Sequence, residues 1–274
     1  MSAIDDLKQQ VTKLWEQGDA LDRPAAVPVV HAAVDALDRG EVRVAEVVGD
    51  EVVVHEWLKQ AILLLFGLRE MDAFEVGPFE YHDKIPLKHD YANAHVRVVP
   101  GASARWGSYL APGVILMPSY VNIGAHVGAD TMVDTWATVG SCAQIGERVH
   151  LSGGVGIGGV LEPPQAAPVI VEDDVTIGSR CMVTQGARVR RGSVLGEGVI
   201  LNPGIPVIDA QTGDEVARGV VPPWSIVVQA SRRKEFPGGE FGLPCALIIK
   251  RLEEGERHDK AKLNDLLREH GVAT

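Results

Sequence analysis

Asp134 is the first residue here whose setting suggests chemistry. It sits in Val133-Asp134-Thr135-Trp136-Ala137-Thr138. A carboxylate beside an indole can lose water, hold an ammonium or take a proton from an attacking nitrogen. Aspartate is equally an ordinary turn residue. Arg97 and Arg105, with Lys84 and Lys88 upstream, can bind carboxylates through paired hydrogen bonds. Arg180, Arg188, Arg190 and Arg191 follow, then Arg232-Arg233-Lys234, and such groups can hold phosphates. Each could also be a solvated surface cation.

These side chains need a scaffold, and residues 103–207 describe one. Ile115, Val121, Val127, Val133, Val139, Ile145, Leu151 and Ile157 fall six apart. A smaller residue stands four places after each (Ser119, Ala125, Thr131, Ala137, Ala143, Val149, Val155), with only Leu161 larger. After Pro163-Pro164-Gln165-Ala166-Ala167-Pro168 the beat resumes at Val171, Ile177, Val183, Val189, Leu195, Leu201 and Val207, shifted by two residues. A helix of 3.6 residues per turn cannot keep this beat on one face, and plain strand alternation does not call for it. A parallel β-helix does: each hexad is one flat side, three close a coil, and residues one coil apart stack at about 4.8 Å. Gly, Asn and Asp after the aliphatic residues suit the corners. The fold class expected is mainly β, a parallel β-helix with an α/β unit before it and a strand and helix cap after it.

The period also sorts the remaining motifs. Gly154-Val155-Gly156-Ile157-Gly158-Gly159 matches G-x-G-x-x-G but lies inside the beat, not between a strand and a helix, so no dinucleotide site is expected. His126 and His150 are four hexads apart, which puts them on different sides of one prism. Each is a candidate general base, as an acetyltransferase acting on a hydroxyl would use; metal binding would need a third ligand to converge, and no metal is expected. Cys142, Cys181 and Cys245 show no pairing pattern, which suits a reducing compartment, and Cys181 occupies an inward position. A net charge of −11 over 274 residues argues against a nucleic-acid partner. The chain opens without a signal-peptide pattern and has no apolar run of about 18 residues, so no membrane partner and a cytoplasmic location are expected.

Ahead of the repeats, residues 2–17 read as an amphipathic helix with Ile4, Leu7, Val11, Leu14 and Trp15 on one face, capped by Ser2 and ended by Gly18. A second helix is expected over 25–38, a hairpin over 42–48 and 51–54 around Gly49-Asp50, and a third helix over 56–68. Residues 71–95 read as loop. This unit is expected to cap one end of the solenoid. The Pro-rich excursion 162–168 reads as a loop reaching toward a site or a neighbouring subunit. Beyond Val207 come a turn at 211–214, short strands over 224–229 and 245–250 with a mobile basic loop at 231–239 between them, and a last helix over 259–270. The expected domains are 1–97, 98–210 and 211–274.

Three segments carry a resemblance. They are Met117-Pro118-Ser119-Tyr120-Val121-Asn122-Ile123-Gly124-Ala125, then Thr131-Met132-Val133-Asp134-Thr135-Trp136-Ala137-Thr138-Val139-Gly140-Ser141-Cys142-Ala143-Gln144-Ile145-Gly146, then 151–163. With Arg43-Val44-Ala45-Glu46 and Asn264-Asp265-Leu266-Leu267-Arg268, they resemble the tetrahydrodipicolinate N-succinyltransferases of hexapeptide-repeat type along nearly the whole chain. The resemblance implies a left-handed β-helix, a homotrimer with sites between subunits, and succinyl transfer from succinyl-CoA to tetrahydrodipicolinate in lysine and diaminopimelate biosynthesis. Succinyl-CoA is then a co-substrate, with no cofactor permanently bound. Arg97 matches the family's substrate-binding arginine, and Asp134 its aspartate near the attacking nitrogen. Arg180, Thr184, Arg188 and Arg191 are the contacts expected for the acyl-CoA. Many family members carry a glutamate where Met182 stands here, and an acid is common in place of Gln185. The rival readings are another CoA-dependent O- or N-acetyltransferase of this architecture and a metal-dependent β-helix protein.

Overall fold

The computed structural model describes residues 2–254. Helix α1 (Ala3–Glu16) starts at Ser2, whose hydroxyl accepts from the Asp5 amide while the Asp5 carboxylate accepts from the Ser2 amide. Helix α2 (Arg23–Asp38) is capped by Asp22, and helix α3 spans Glu56–Leu68. Their apolar faces meet in one core around Val11, Val30, Val34, Leu58, Ile62 and Leu65. Between α2 and α3, Ala45–Val48 and Glu51–Val54 pair antiparallel as expected. Residues 71–95 are not all loop. Asp72–Val76 and Phe79–Asp83 form a second hairpin whose strands alternate Phe74 and Val76 with Phe79 and Tyr81, a period-two pattern hidden by its shortness. No helix among the described residues is long and apolar enough to cross a membrane.

The repeats wind into a three-sided, left-handed parallel β-helix. Its two-residue strands form one sheet per side, and the sides are distinguished below by an outward residue. The His150 side carries Arg97–Val98, Ile115–Leu116, Met132–Val133, His150–Leu151, Thr176–Ile177 and Val194–Leu195. The Met182 side follows with Ser103–Ala104, Tyr120–Val121, Thr138–Val139, Gly156–Ile157, Met182–Val183 and Ile200–Leu201. The His126 side closes each coil with Tyr109–Leu110, His126–Val127, Gln144–Ile145, Ile170–Val171, Arg188–Val189 and Val220–Val221. The second residue of each strand and the small residue four later line one continuous core.

The phase needs one correction. Leu116, not Ile115, points inward, because Met132 pairs with Ile115 and Val133 with Leu116. The corner from Leu116 to Val121 is one residue shorter than the others, and Ile115 is left on the outer surface. Further on, the pairing of Gln144 with Ile170 absorbs the Pro-rich excursion without breaking the sheet. The excursion is fastened from behind: Lys59 of α3, with no exposed surface, donates to the Ala166 carbonyl at 2.7 Å and the Pro163 carbonyl at 3.4 Å.

The α/β unit lies along the His126 side instead of capping an end. Gly40 lies against the ring of Tyr109, Arg43 donates to Gln144 at 3.1 Å, and Arg188 donates to the Asp50 carbonyl at 2.6 Å. Chain order therefore runs up that side from first coil to fifth. Trp106 and the Gly107 amide bind Asp35 and Asp38 of α2, and Lys88 pairs with Asp38 at 2.7 Å. The first coil is closed by the turns at 90–96, with Tyr91, Ala94 and Val96 against the core.

At the other end Pro206–Asp209 and Glu215–Arg218 pair as a hairpin around the expected turn. The two short strands expected there are one long ribbon. Ser225–Phe236 pairs with Gly239–Arg251 throughout, so residues 231–239 are strand and tight turn, not a loop. The ribbon continues the His150 side through the pairing of Val194 with Ile226. The helix expected over 259–270 lies outside the described residues.

Candidate functional site

With the His126 side covered, the outward residues of the other two sides and the corner between them remain for a ligand. That corner is built coil by coil from Met117-Pro118, Asp134-Thr135-Trp136, Ser152-Gly153-Gly154 and Gly178-Ser179-Arg180. The last three coils each place a left-handed residue third after the inward aliphatic: Trp136 at φ 60°, Gly154 at 68° and Arg180 at 60°. Cross-coil bonds hold these strained positions: the Trp136 amide donates to the Pro118 carbonyl, Gly154 to Thr135 and Arg180 to Gly153.

Asp134 is fixed at the start of this corner. Its amide donates to the Leu151 carbonyl at 2.9 Å. Its Oδ1 accepts from the Thr135 amide at 2.6 Å and from the Thr135 hydroxyl at 3.3 Å. Its Oδ2 lies 3.9 Å from Nε2 of His150 on the next coil. Trp136 is 71% exposed, and the Asp134 side chain keeps 32% of its surface. The indole does not strip this carboxylate of water within one chain, contrary to one reading of the sequence. Trp136 instead stands out from the corner as a large apolar plate.

Arg97 is exposed and heads the outward column of the same side, two coils before Met132, roughly 10 Å along the axis. Its guanidinium has no partner among the described residues. Arg105, considered alongside it, is bonded to Asp83 at 2.7 Å and Asn122 at 3.3 Å. Lys84 donates to the Phe66 carbonyl and Lys88 pairs with Asp38. Arg105 and Lys88 tie the α/β unit to the first coils, and Lys84 ties the following segment to α3.

The four residues expected to contact an acyl-CoA are not brought together in one chain. Arg180 lies on the Asp134 corner, its side chain laid across Gly154, where a Cβ would come within 2.8 Å of it. Thr184 lies on the next corner, above Gly158. Together they flank the Met182 side, whose outward column runs Tyr120, Thr138, Gly156, Met182, Ile200. Met182 is exposed, with its thioether over Gly156. Arg188 is buried on the His126 side, paired with Glu172 at 2.6 Å and committed to Asp50. Arg191 lies on the third corner, 3.5 Å from Asp174 and 3.6 Å from Asp173. Arg190 pairs with Asp50.

The histidines occupy different sides, as the period requires. His126 packs against Tyr109 at 4.8 Å, and burial with Arg43 nearby lowers its pKa to about 3, which makes it a neutral core group. Among the described residues no three His, Cys, Asp or Glu side chains converge on a metal-sized point. Burial also pushes the Cys142 thiol up to about 12 and the Cys181 thiol up to about 11, so neither is a nucleophile. The proximity of His150 to Asp134 was missed from sequence. A coil of eighteen residues, less two, is the separation that gives it.

Similarity to known proteins follows the same layout. Residues 6–68 match the family described as tetrahydrodipicolinate N-succinyltransferase N-terminal, and residues 168–203 match the hexapeptide repeat of succinyl-transferase. The 2,3,4,5-tetrahydropyridine-2,6-dicarboxylate N-succinyltransferase of Chelativorans sp. (strain BNC1) is 48% identical over 283 residues, covering 98% of this chain and 99% of that one. The enzyme of the same name from Methylobacterium sp. (strain 4-46) is 49% identical over 281 residues, covering 96% and 99%. Among solved structures, a 2,3,4,5-tetrahydropyridine-2-carboxylate N-succinyltransferase from Campylobacter jejuni aligns with a TM-score of 0.45 at 18% identity, covering 81% of this chain and 62% of that one.

Proposed function

The chain belongs to the 2,3,4,5-tetrahydropyridine-2,6-dicarboxylate N-succinyltransferase family, and from that premise we propose that it moves the succinyl group of succinyl-CoA to the nitrogen of tetrahydrodipicolinate. The products are N-succinyl-2-amino-6-oxopimelate and CoA, in lysine and diaminopimelate biosynthesis. The observation that carries this is identity of 48% along essentially the full length of both chains, which takes in the Asp134 corner and the α/β unit together.

The chemistry is acyl transfer without a protein nucleophile. The substrate nitrogen attacks the thioester carbon, a tetrahedral intermediate forms, and CoA leaves as the thiol. Arg97, exposed and unpaired among the described residues, holds a substrate carboxylate by a two-pronged hydrogen bond. The gap of roughly 10 Å from its coil to that of Asp134 suits a compact dicarboxylate whose reacting end lies at the corner. Asp134 orients the nitrogen through Oδ2, since Oδ1 is engaged by Thr135. Succinyl-CoA lies along the Met182 side, its pantetheine over the flat surface at Gly154 and Gly156, with Arg180 and Thr184 on either flank. Corner amides stabilise the oxyanion. Arg188 and Arg191 reach CoA only if their ion pairs with Glu172 and with Asp173 and Asp174 open. The chain works as a homotrimer, with sites in the clefts between prisms, where a plate such as Trp136 is covered by the neighbour.

Free-thiol release with purified protein, succinyl-CoA and tetrahydrodipicolinate, omitting each in turn, tests the reading. Release that needs both supports it. Equal release with acetyl-CoA, or none with the complete mixture, overturns it.

A further inference from the structure

Acyl transfer to nitrogen moves one proton. As the N–C bond forms the nitrogen becomes cationic and sheds a proton; as the C–S bond breaks the sulfur gains one. An aspartate alone is a weak base for that transfer, and Met182 on the adjoining side offers no titratable group. His150 does. It leaves the coil directly after that of Asp134, its side chain 23% exposed on the open side of the prism, with Nε2 3.9 Å from Oδ2 of Asp134. Oδ1 is already bonded to Thr135, so Oδ2 is the oxygen that meets both the substrate and the imidazole. Met132 and Thr176 flank His150 in the sheet and carry no charge. At the preceding corner Arg148 is paired with Glu147 at 2.7 Å and Asp174 at 2.8 Å.

We propose that His150 is a positioning residue for the transfer, acting through Asp134: it orients the carboxylate and draws off the proton that Oδ2 takes from the nitrogen. A separation of 3.9 Å is longer than a hydrogen bond, and rotation of the imidazole closes it, as catalytic contacts tighten on substrate binding. The proton then passes from the imidazolium to water, and water protonates the departing CoA thiolate, so one proton leaves nitrogen and one reaches sulfur. The imidazole suits this relay because its ring can take a proton at one nitrogen and release one at the other. The inference rests on the assignment of Asp134 to the attacking nitrogen made above.

The test compares His150→Asn and His150→Gln with Asp134→Asn and with the His150→Asn, Asp134→Asn double variant. All are assayed on the full chain with succinyl-CoA and tetrahydrodipicolinate from pH 5.5 to 9. Each His150 variant is expected to lose about 10²-fold or more in kcat, with both KM values within about threefold and an unchanged melting temperature. The acid limb of the kcat profile should flatten. In the Asp134→Asn background the second substitution should cost less than about threefold, because residues acting through one another are not additive. A His150→Asn enzyme with at least a third of wild-type kcat overturns the proposal. So does a loss of kcat with the pH profile unchanged, which marks a structural role, or a full independent loss in the double variant. Should one variant melt early, the other decides, and if both do, an additive loss measured below their melting temperature still refutes the relay. A fully active Asp134→Asn enzyme would instead sink the assignment of Asp134, a distinct failure.

Discussion

His126 makes the fold acid-labile in a calculable way. Its ring packs on Tyr109, its Nδ1 is buried without a partner among the described residues, and Arg43 lies close by. Burial first, and the arginine second, lower its pKa from 6.5 to about 3. The folded protein thus resists the proton that the unfolded chain accepts below pH 6.5. Stability is undiminished above that pH and falls as pH drops from 6.5 toward 3. A full shift of that size corresponds to about 5 kcal/mol, and to about 2 kcal/mol between pH 7.5 and pH 5. Urea unfolding at those two pH values, at one fixed protein concentration because the assembly state enters the midpoint, is compared for wild type and His126→Phe, which keeps a ring on Tyr109. Wild type should lose about 2 kcal/mol more than the variant. Carboxylates titrating over the same range affect both proteins and cancel. Equal losses, within about 0.5 kcal/mol, would refute the account of His126 as a buried neutral group.

The other predictions concern the site and its supports. Arg97→Ala should raise the KM for tetrahydrodipicolinate about tenfold or more and leave that for succinyl-CoA nearly unchanged; the reverse pattern counts against the role given to Arg97. Asp134→Asn should lower kcat by about 10²–10⁴, checked by thiol release under saturation, and wild-type turnover would remove Asp134 from the chemistry. Lys59→Met, near-isosteric but unable to donate to the Ala166 and Pro163 carbonyls, should cost about 1–3 kcal/mol by denaturant titration; no loss would mean that the excursion needs no clamp. Gly154→Ala places a Cβ at φ 68° against Arg180, so it should cost about 1 kcal/mol or more and weaken succinyl-CoA binding, read from melting temperature and KM. In the native protein Cys142 and Cys181 should resist a thiol reagent at pH 7.5, since both thiols are buried with raised pKa values; rapid labelling of either would contradict their place in the core.

Local order of short range was legible in the residues themselves. The six-residue beat needs only an inward aliphatic and a small partner per side, so it predicts the prism and its core. The cap at Ser2, the apolar stripe of α2 and the run in α3 are likewise properties of a few neighbouring residues. The Asp134 corner could be picked out because a carboxylate near Trp136 interrupts a run of small corner residues and because the resemblance points to it. The second hairpin at 72–83 was not visible, because two five-residue strands around Gly77-Pro78 offer too short an alternation beside so many polar residues. The ribbon was missed at Ser231-Arg232-Arg233-Lys234 because charge reads as loop, whereas an edge ribbon tolerates charge on both strands.

The amino-acid order alone therefore determined the solenoid and the three helices ahead of it, since each depends on spacing between near neighbours, and it marked out candidate residues for chemistry. Only the tertiary structure decided which of them meet. Whether two corner residues face each other depends on the total count of residues between them, so a corner shortened by one residue, or an excursion absorbed within a coil, moves a side chain to another side of the prism. That is why Arg180 and Thr184 flank one side while Arg188 is buried under Asp50, and why His150 lies beside Asp134. The placing of the α/β unit along the His126 side follows from the same cause. It is set by single contacts at Tyr109, Gln144 and Arg188, which stand tens of residues apart in the chain and become one column only when the coils have stacked.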